Sequence, residues 1–369
     1  MPGSRLPWLP SIGGALHTTI FLGDVDGSGL TALVILLVVV LVAVVAVLLR
    51  VLSQKRKTEL AAARILSMSE NMLNLSSLPF SRTEIGGYRL QQKLSEGVGF
   101  ITYRGVNSRN EPCELKIPTS SALEDKTTIG RIEREASILS AINNPHVQHF
   151  KAFEKLKDRG RVIPMLVTDP IIGEELSSVL KRTGPLHPLD VVSIMLDMTS
   201  ALADVHRCDV VHRNVKPLSI LLTAEGRAIL SNFGIVQSEA QQQLTQRGDV
   251  LGTGLYMSPE QITGKPLDGR SDLYSLGIVA FEMLTGQAPY AGTTFGELVM
   301  HKMTQDPPHP SLLVANVPAE LDDLIARMME KDPSRRPASA GYLTTELQML
   351  EQSLEQSAEE SEATQASDS

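Results

Sequence analysis

Residues 30–49 carry no charged side chain and are almost wholly Leu, Val, Ile and Ala, so the rest of the chain is arranged around where that run must sit. In lipid a segment has to satisfy its own backbone N–H and C=O groups, and about 20 residues rising 1.5 Å each cross a hydrocarbon core as one helix. A buried core helix and a cleaved signal peptide are the alternatives. The run is too long for a usual signal-peptide apolar region, and no small-residue cleavage site follows it before a basic cluster. Arg50, Lys55, Arg56 and Lys57 come directly after it, whereas Asp24, Asp26 and only Arg5 come before. That asymmetry predicts residues 1–29 outside the cell, a transmembrane helix over 30–49, and everything after it in the cytoplasm, anchored to the cell membrane in a single pass.

The remaining length fits one large domain with appendages. Acidic residues outnumber basic ones 42 to 34, and no Lys/Arg stripe is interleaved with aromatics, which excludes nucleic acid as the expected partner. Cys113 and Cys208 are the only cysteines, a pattern of reduced thiols and not of a disulfide frame or metal cluster. Residues 50–87 read as a juxtamembrane linker, basic at its start and helical after it. Ala61, Ile65, Met68, Met72 and Leu75 recur at spacings of four and three and would form one apolar stripe. A helix lying on the membrane or on the following domain suits that stripe better than a homodimer through 61–75, because two heptads are short for a coiled coil. Pro79 and Gly86-Gly87 end it, the domain is expected over 88–350, and residues 351–369, rich in Gln, Ser, Ala and acid, are expected to be a disordered acidic tail.

Within 88–350 a series of short motifs appears in order. Cys113-Glu114-Leu115-Lys116 is followed by Arg131-Ile132-Glu133-Arg134-Glu135, then by Val211-His212-Arg213-Asn214-Val215-Lys216-Pro217-Leu218-Ser219 and Ser231-Asn232-Phe233-Gly234. Gly252 to Glu260, Arg270 to Gly277 and Asp332 to Pro337 complete the set. In this order and at these separations the chain resembles the eukaryotic-like serine/threonine protein kinases, especially the bacterial membrane-anchored branch. The resemblance implies an α+β, bilobal protein-kinase fold: a small β-rich lobe with helix C and a large α-helical lobe, behind one N-terminal transmembrane helix. It also implies an ion pair between Lys116 and Glu135, a pair between Glu260 and Arg336, an anchoring role for Asp272 at His212, and a stack of Leu139, His212 and Phe233.

The same resemblance marks what is missing. Family members use an aspartate to take the substrate hydroxyl's proton, and an asparagine and a second aspartate to hold magnesium. Here those positions hold Asn214, Ser219 and Asn232, so no metal site is expected and the chain resembles a pseudokinase. No cofactor is expected either; ATP with magnesium belongs only to the alternative, an active serine/threonine kinase with atypical residues in which Asp249 or Glu239 takes over a metal role. The expected partners of a pseudokinase are other proteins, such as an active kinase or its substrates.

The nucleotide cleft implied by the family would be lined by Gly97, Gly99, Glu114, Lys116, Ile171 and Leu221. Only Gly97 is in register with the family's glycine-rich loop; Ser95 and Phe100 replace the other glycines, and Gly99 lies one position early. Thr168 would be a small residue at the back of the pocket, and the Ile171 amide would be left to donate to adenine. Residues i and i+2 of a strand share a face, so Glu114 should point into the cleft with Lys116, where a carboxylate would meet adenine or turn to neutralise Lys116. Arg213 is the arginine that in relatives pairs with a phosphorylated activation-segment residue, and Thr245 is the candidate for that residue.

Overall fold

The computed structural model describes residues 84–367 apart from 98, 159–160, 234–251 and 253. The chain divides into two units, Met1–Asn71 and Met72–Ser369, and the described residues all belong to the second. The expected span at 30–49, the stripe at 61–75 and Thr245 lie outside the described residues. No helix among the described residues is long and apolar enough to cross a membrane.

The first lobe is a six-stranded antiparallel sheet in the order β1-β2-β3-β4-β6-β5, formed by β1 (Glu84–Ile85), β2 (Tyr88–Gly97), β3 (Phe100–Val106), β4 (Pro112–Pro118), β5 (Phe150–Asp158) and β6 (Arg161–Thr168). The pleat decides which side chains face where. In β4, Cys113, Leu115 and Ile117 are buried with Tyr103, Ile163 and Met165 in the core of this lobe, so Glu114 and Lys116 point the other way. One helix, α1 (Lys126–Ala141), packs on β5 and β6. It starts where Asp125 accepts from the amides of Thr127 and Thr128, satisfying two of the N–H groups a helix start leaves unpaired.

The second lobe is helical, with α2 (Leu176–Thr183), α3 (Pro188–Arg207), α4 (Pro259–Thr263), α5 (Gly269–Thr285), α6 (Phe295–Thr304), α7 (Ala319–Met328) and α8 (Ala340–Ser367). A small antiparallel sheet, β7 (Gly173–Glu175), β8 (Ile220–Thr223) and β9 (Ala228–Leu230), joins them. Every residue from Ser271 to Phe281 is buried, which makes α5 the central post of the lobe. It begins at the cap Asp268 and ends at Gly286 in the left-handed conformation. Gly277 lets α7 come close, since a Cβ there would lie 2.8 Å from the Cβ of Met328.

One expectation is corrected by this lobe. Residues 351–367 are not disordered but continue α8 to Ser367. Leu343, Leu347 and Leu350 dock the first part of α8 in the core, so the nucleation cost is already met there, and Glu, Gln and Ala extend a helix with little penalty.

A buried lysine ties α6 to the segment ahead of α4. Lys302 is fully buried, and its Nζ donates to the carbonyls of Gly254, Leu255 and Met257 at 3.1, 2.6 and 2.6 Å. Burial pushes its ammonium down from the ordinary 10.5 to about 7. Between those values the unfolded chain holds a proton that the folded chain has released, so stability contributed at this position rises with pH across that window. In urea titrations from pH 6 to 9, the midpoint difference between the unmodified chain and Lys302→Met should therefore grow in favour of the unmodified chain. A difference that stays flat contradicts the assignment.

Candidate functional site

Between the two sheets lies a cavity of about 240 Å³, below the roughly 300–1,000 Å³ of pockets that enclose drug-sized ligands. Leu94, Lys116, Glu135, Thr168, Leu221 and Asn232 are among its lining residues. Lys116 reaches it from β4 and Glu135 from α1, and the Lys116 Nζ donates to both carboxylate oxygens of Glu135 at 2.9 and 2.7 Å. The Phe100 ring covers the ammonium at 5.3 Å. Gly99 has φ +86°, while Gly97 ends β2.

Glu114 lines the same cavity but does not turn to Lys116, whose charge is already answered by Glu135. The sequence-based alternative in which Glu114 neutralises Lys116 is corrected. Instead the Glu114 Oε1 accepts from the Ile171 amide at 3.3 Å, and its Oε2 accepts from the Gln148 Nε2 at 2.9 Å. Gln148 also donates to the Thr168 hydroxyl at 3.0 Å. The Ile171 amide, expected to remain available to adenine, is thus taken by a side chain of the protein itself. Burial pushes Glu114 above the usual carboxylate range, against hydrogen bonding from Ile171, the charge of Arg104 and hydrogen bonding from Gln148.

At the other end of the cavity the backbone is set by α5. Asp272, fully buried in its first turn, accepts from the amides of His212 and Arg213, each at 2.8 Å, and from the His206 Nε2 at 2.8 Å. Those bonds hold Arg213 at φ +65°, a conformation uncommon for any residue other than glycine, and its carbonyl accepts from the Gln261 Nε2 at 3.1 Å. The His212 ring lies edge-on to Phe233 with centroids 4.6 Å apart. Burial lowers its pKa to about 4, so the ring is neutral at physiological pH.

Asn214, Ser219 and Asn232 come together here. The Asn214 Nδ2 donates to the Ser219 Oγ at 3.3 Å and to the main-chain carbonyl of Asn232 at 3.1 Å. Asn232 sits at φ +56°, which asparagine tolerates better than most residues. Ser219 is buried, and its carbonyl accepts from the Ser231 amide at 2.9 Å. An aspartate at 214 has no hydrogen to donate and would set its charge against the Asn232 carbonyl. The cluster is therefore a neutral network of the Asn214 side-chain amide, the Ser219 hydroxyl and the main-chain carbonyl of Asn232. It does not fit a magnesium ion, which demands hard, anionic oxygen ligands.

Among the lining residues that were not singled out from the sequence, two act on Glu114. Gln148 is 34 positions from Glu114, and nothing local to it signals the contact. Arg104 faces Glu114 across the β3–β4 pair, a neighbour that only the strand register discloses.

The arrangement can be set beside known proteins. Residues 88–348 match the family model described as protein kinase domain. The chain is 33% identical over 270 residues to serine/threonine-protein kinase PknL of Mycobacterium tuberculosis, a match spanning 72% of this chain and 66% of that protein. It is 35% identical over 259 residues to serine/threonine-protein kinase PknH of Mycobacterium bovis, spanning 70% of this chain and 43% of that protein. The matched stretch thus covers two thirds or less of these relatives. The crystal structure of the Mycobacterium tuberculosis PknI kinase domain shares the fold, with a TM-score of 0.55 at 20% identity, over 72% of this chain and 96% of that one.

Proposed function

Because the chain belongs to the protein kinase domain family, we propose that it is a membrane-anchored, serine/threonine-kinase-like pseudokinase that signals by binding other proteins. One observation carries this reading: the position of the family's base and the two positions of its metal ligands hold Asn214, Ser219 and Asn232, joined in a neutral hydrogen-bonded cluster. Phosphoryl transfer depends almost entirely on positioning and on charge stabilisation by the metal. A missing base alone removes about 10²–10⁴ in rate, and a missing metal site removes the stabilisation that the remaining groups act upon. Contacts that only hold the fold, such as Asp272 to the His212 and Arg213 amides, are kept. The partner class that suits such a module is an active kinase or its substrates. Incubation with ATP and magnesium or manganese should leave the mass of the chain unchanged.

A second reading, an active kinase with atypical residues, is favoured by the intact pair of Lys116 and Glu135. It requires an acid from elsewhere to hold the metal; Asp249 and Glu239, the candidates, lie outside the described residues. Arg213 and Thr245 remain a proposed phosphate-dependent pair, in which a partner kinase would modify Thr245 and the phosphate would accept charge-assisted hydrogen bonds from Arg213. Arg213→Ala would then cancel any effect of Thr245→Asp on partner binding.

The proposed anchor is residues 30–49, with the kinase-like domain in the cytoplasm. Protease added outside intact cells should leave the region after residue 88 whole. Its digestion from outside would reverse the topology.

A further inference from the structure

Glu114 changes what the cavity can recognise. An ionised carboxylate offers about four lone-pair directions. Two are used, by the neutral donors Ile171 N and Gln148 Nε2, and the side chain still lines the cavity. Burial pushes its pKa up by more than the hydrogen bonds from Ile171 and Gln148 and the charge of Arg104 across the β3–β4 pair bring it down. Adenine is badly matched to this edge. Its ring nitrogen beside the amino group carries a lone pair, which needs the Ile171 amide and would instead meet a carboxylate oxygen. A base that presents N–H groups there has the opposite polarity and completes the carboxylate's hydrogen bonding with charge-assisted bonds.

We propose that the cavity is a binding site for a planar base whose edge bears adjacent N–H donors, of which guanine is the natural form, and that Glu114 is its specificity-determining residue. Guanine offers a ring N–H and an amino group side by side, spaced to meet the two oxygens of one carboxylate. Leu94 and Leu221 line the same cavity and supply apolar contact area for a ring. Gln148, held by Thr168, positions the carboxylate from behind. The proposal rests on the reading that the cavity binds and does not catalyse, yet it concerns recognition of the base alone.

The test uses nucleosides, which have no phosphates and need no metal, with the full chain, and reads dissociation constants by calorimetry. Guanosine should bind roughly tenfold or more tightly than adenosine, because a site built around hydrogen bonds rejects analogues that leave its groups unpaired. Inosine, which keeps the ring N–H and lacks the amino group, should fall between them. Glu114→Gln should abolish the preference, and Glu114→Ala should raise adenosine affinity by freeing the Ile171 amide. Equal or tighter adenosine binding by the unmodified chain overturns the proposal, as does failure of guanosine to bind at millimolar concentration. Those unmodified-chain results stand even if a variant does not fold. Phosphate transfer by the chain would sink the pseudokinase reading without touching the nucleoside order.

Discussion

Asn214→Asp, Ser219→Asn and Asn232→Asp introduced together are expected to lift phosphoryl transfer out of the background, whereas Asn214→Asp alone should leave it there. The reason is electrostatic. Two unit charges about 4 Å apart attract by roughly 4 kcal/mol at an effective dielectric of about 20, so the carboxylate returned to the metal position at 232 is worth orders of magnitude in divalent binding. The base acts only on a hydroxyl that faces a positioned, metal-bound phosphate. In the present structure the Asn214 amide donates to Ser219 and to the Asn232 carbonyl, and a lone aspartate at 214 would break that network without supplying a metal. Adding Glu114→Ala to the triple variant should raise transfer further, because it returns the Ile171 amide to the nucleotide. Transfer restored by Asn214→Asp alone would mean that metals are already held by other groups.

Arg336→Ala should cost roughly 3–5 kcal/mol of stability, the range for stripping one partner from a buried ion pair. The Arg336 side chain is wholly enclosed, and its two terminal nitrogens donate to the two oxygens of Glu260 at 2.6 and 2.8 Å. It also donates to the carbonyls of Glu330, Arg270 and Lys331, and lies over the Tyr274 ring with its central carbon 4.8 Å from the centroid. Removing it leaves a carboxylate and three carbonyls without that donor inside the helical lobe. Burial by itself would raise the pKa of Glu260, and hydrogen bonding and charge from Arg336 bring it below the usual value, so the loss converts a favourable site into a penalty. Chemical unfolding at neutral pH reads the effect directly. Arg336→Lys should recover only part of it, because an ammonium cannot reproduce the planar, paired geometry. A loss within about 0.5 kcal/mol, ordinary for a surface substitution, would show that the pair does not fasten the lobe.

The bilobal fold was legible because the motifs are ordered and because β4 announces its own pleat: Cys113, Leu115 and Ile117 alternate with Glu114 and Lys116. That alternation was enough to send Glu114 into the cleft. It was not enough to say where the carboxylate would stop, since the deciding partners, Gln148 and Ile171, come from 34 and 57 residues away. Lys302 escaped notice for a similar reason. A lysine on an amphipathic helix reads as solvent-facing, and only the packing of α6 on the carbonyls of Gly254, Leu255 and Met257 buries it. The end of α8 was misjudged because composition describes an isolated segment, whereas this one grows from a helix already docked at Leu343, Leu347 and Leu350. That positions 214, 219 and 232 hold Asn, Ser and Asn needed no structure to find, but the hydrogen bonds that tie those three positions together did.

The most direct measurement is phosphate transfer by the purified, unmodified chain, followed by intact mass and by label on a generic substrate, with saturating ATP and either magnesium or manganese. Family turnover is about 1–100 per second, so even a loss of 10⁴ leaves a signal within hours. The account predicts no added phosphate on the chain or the substrate over that time. Stoichiometric phosphate on the chain, abolished by Lys116→Met, would show that the cluster at Asn214 and Asn232 does not silence the site.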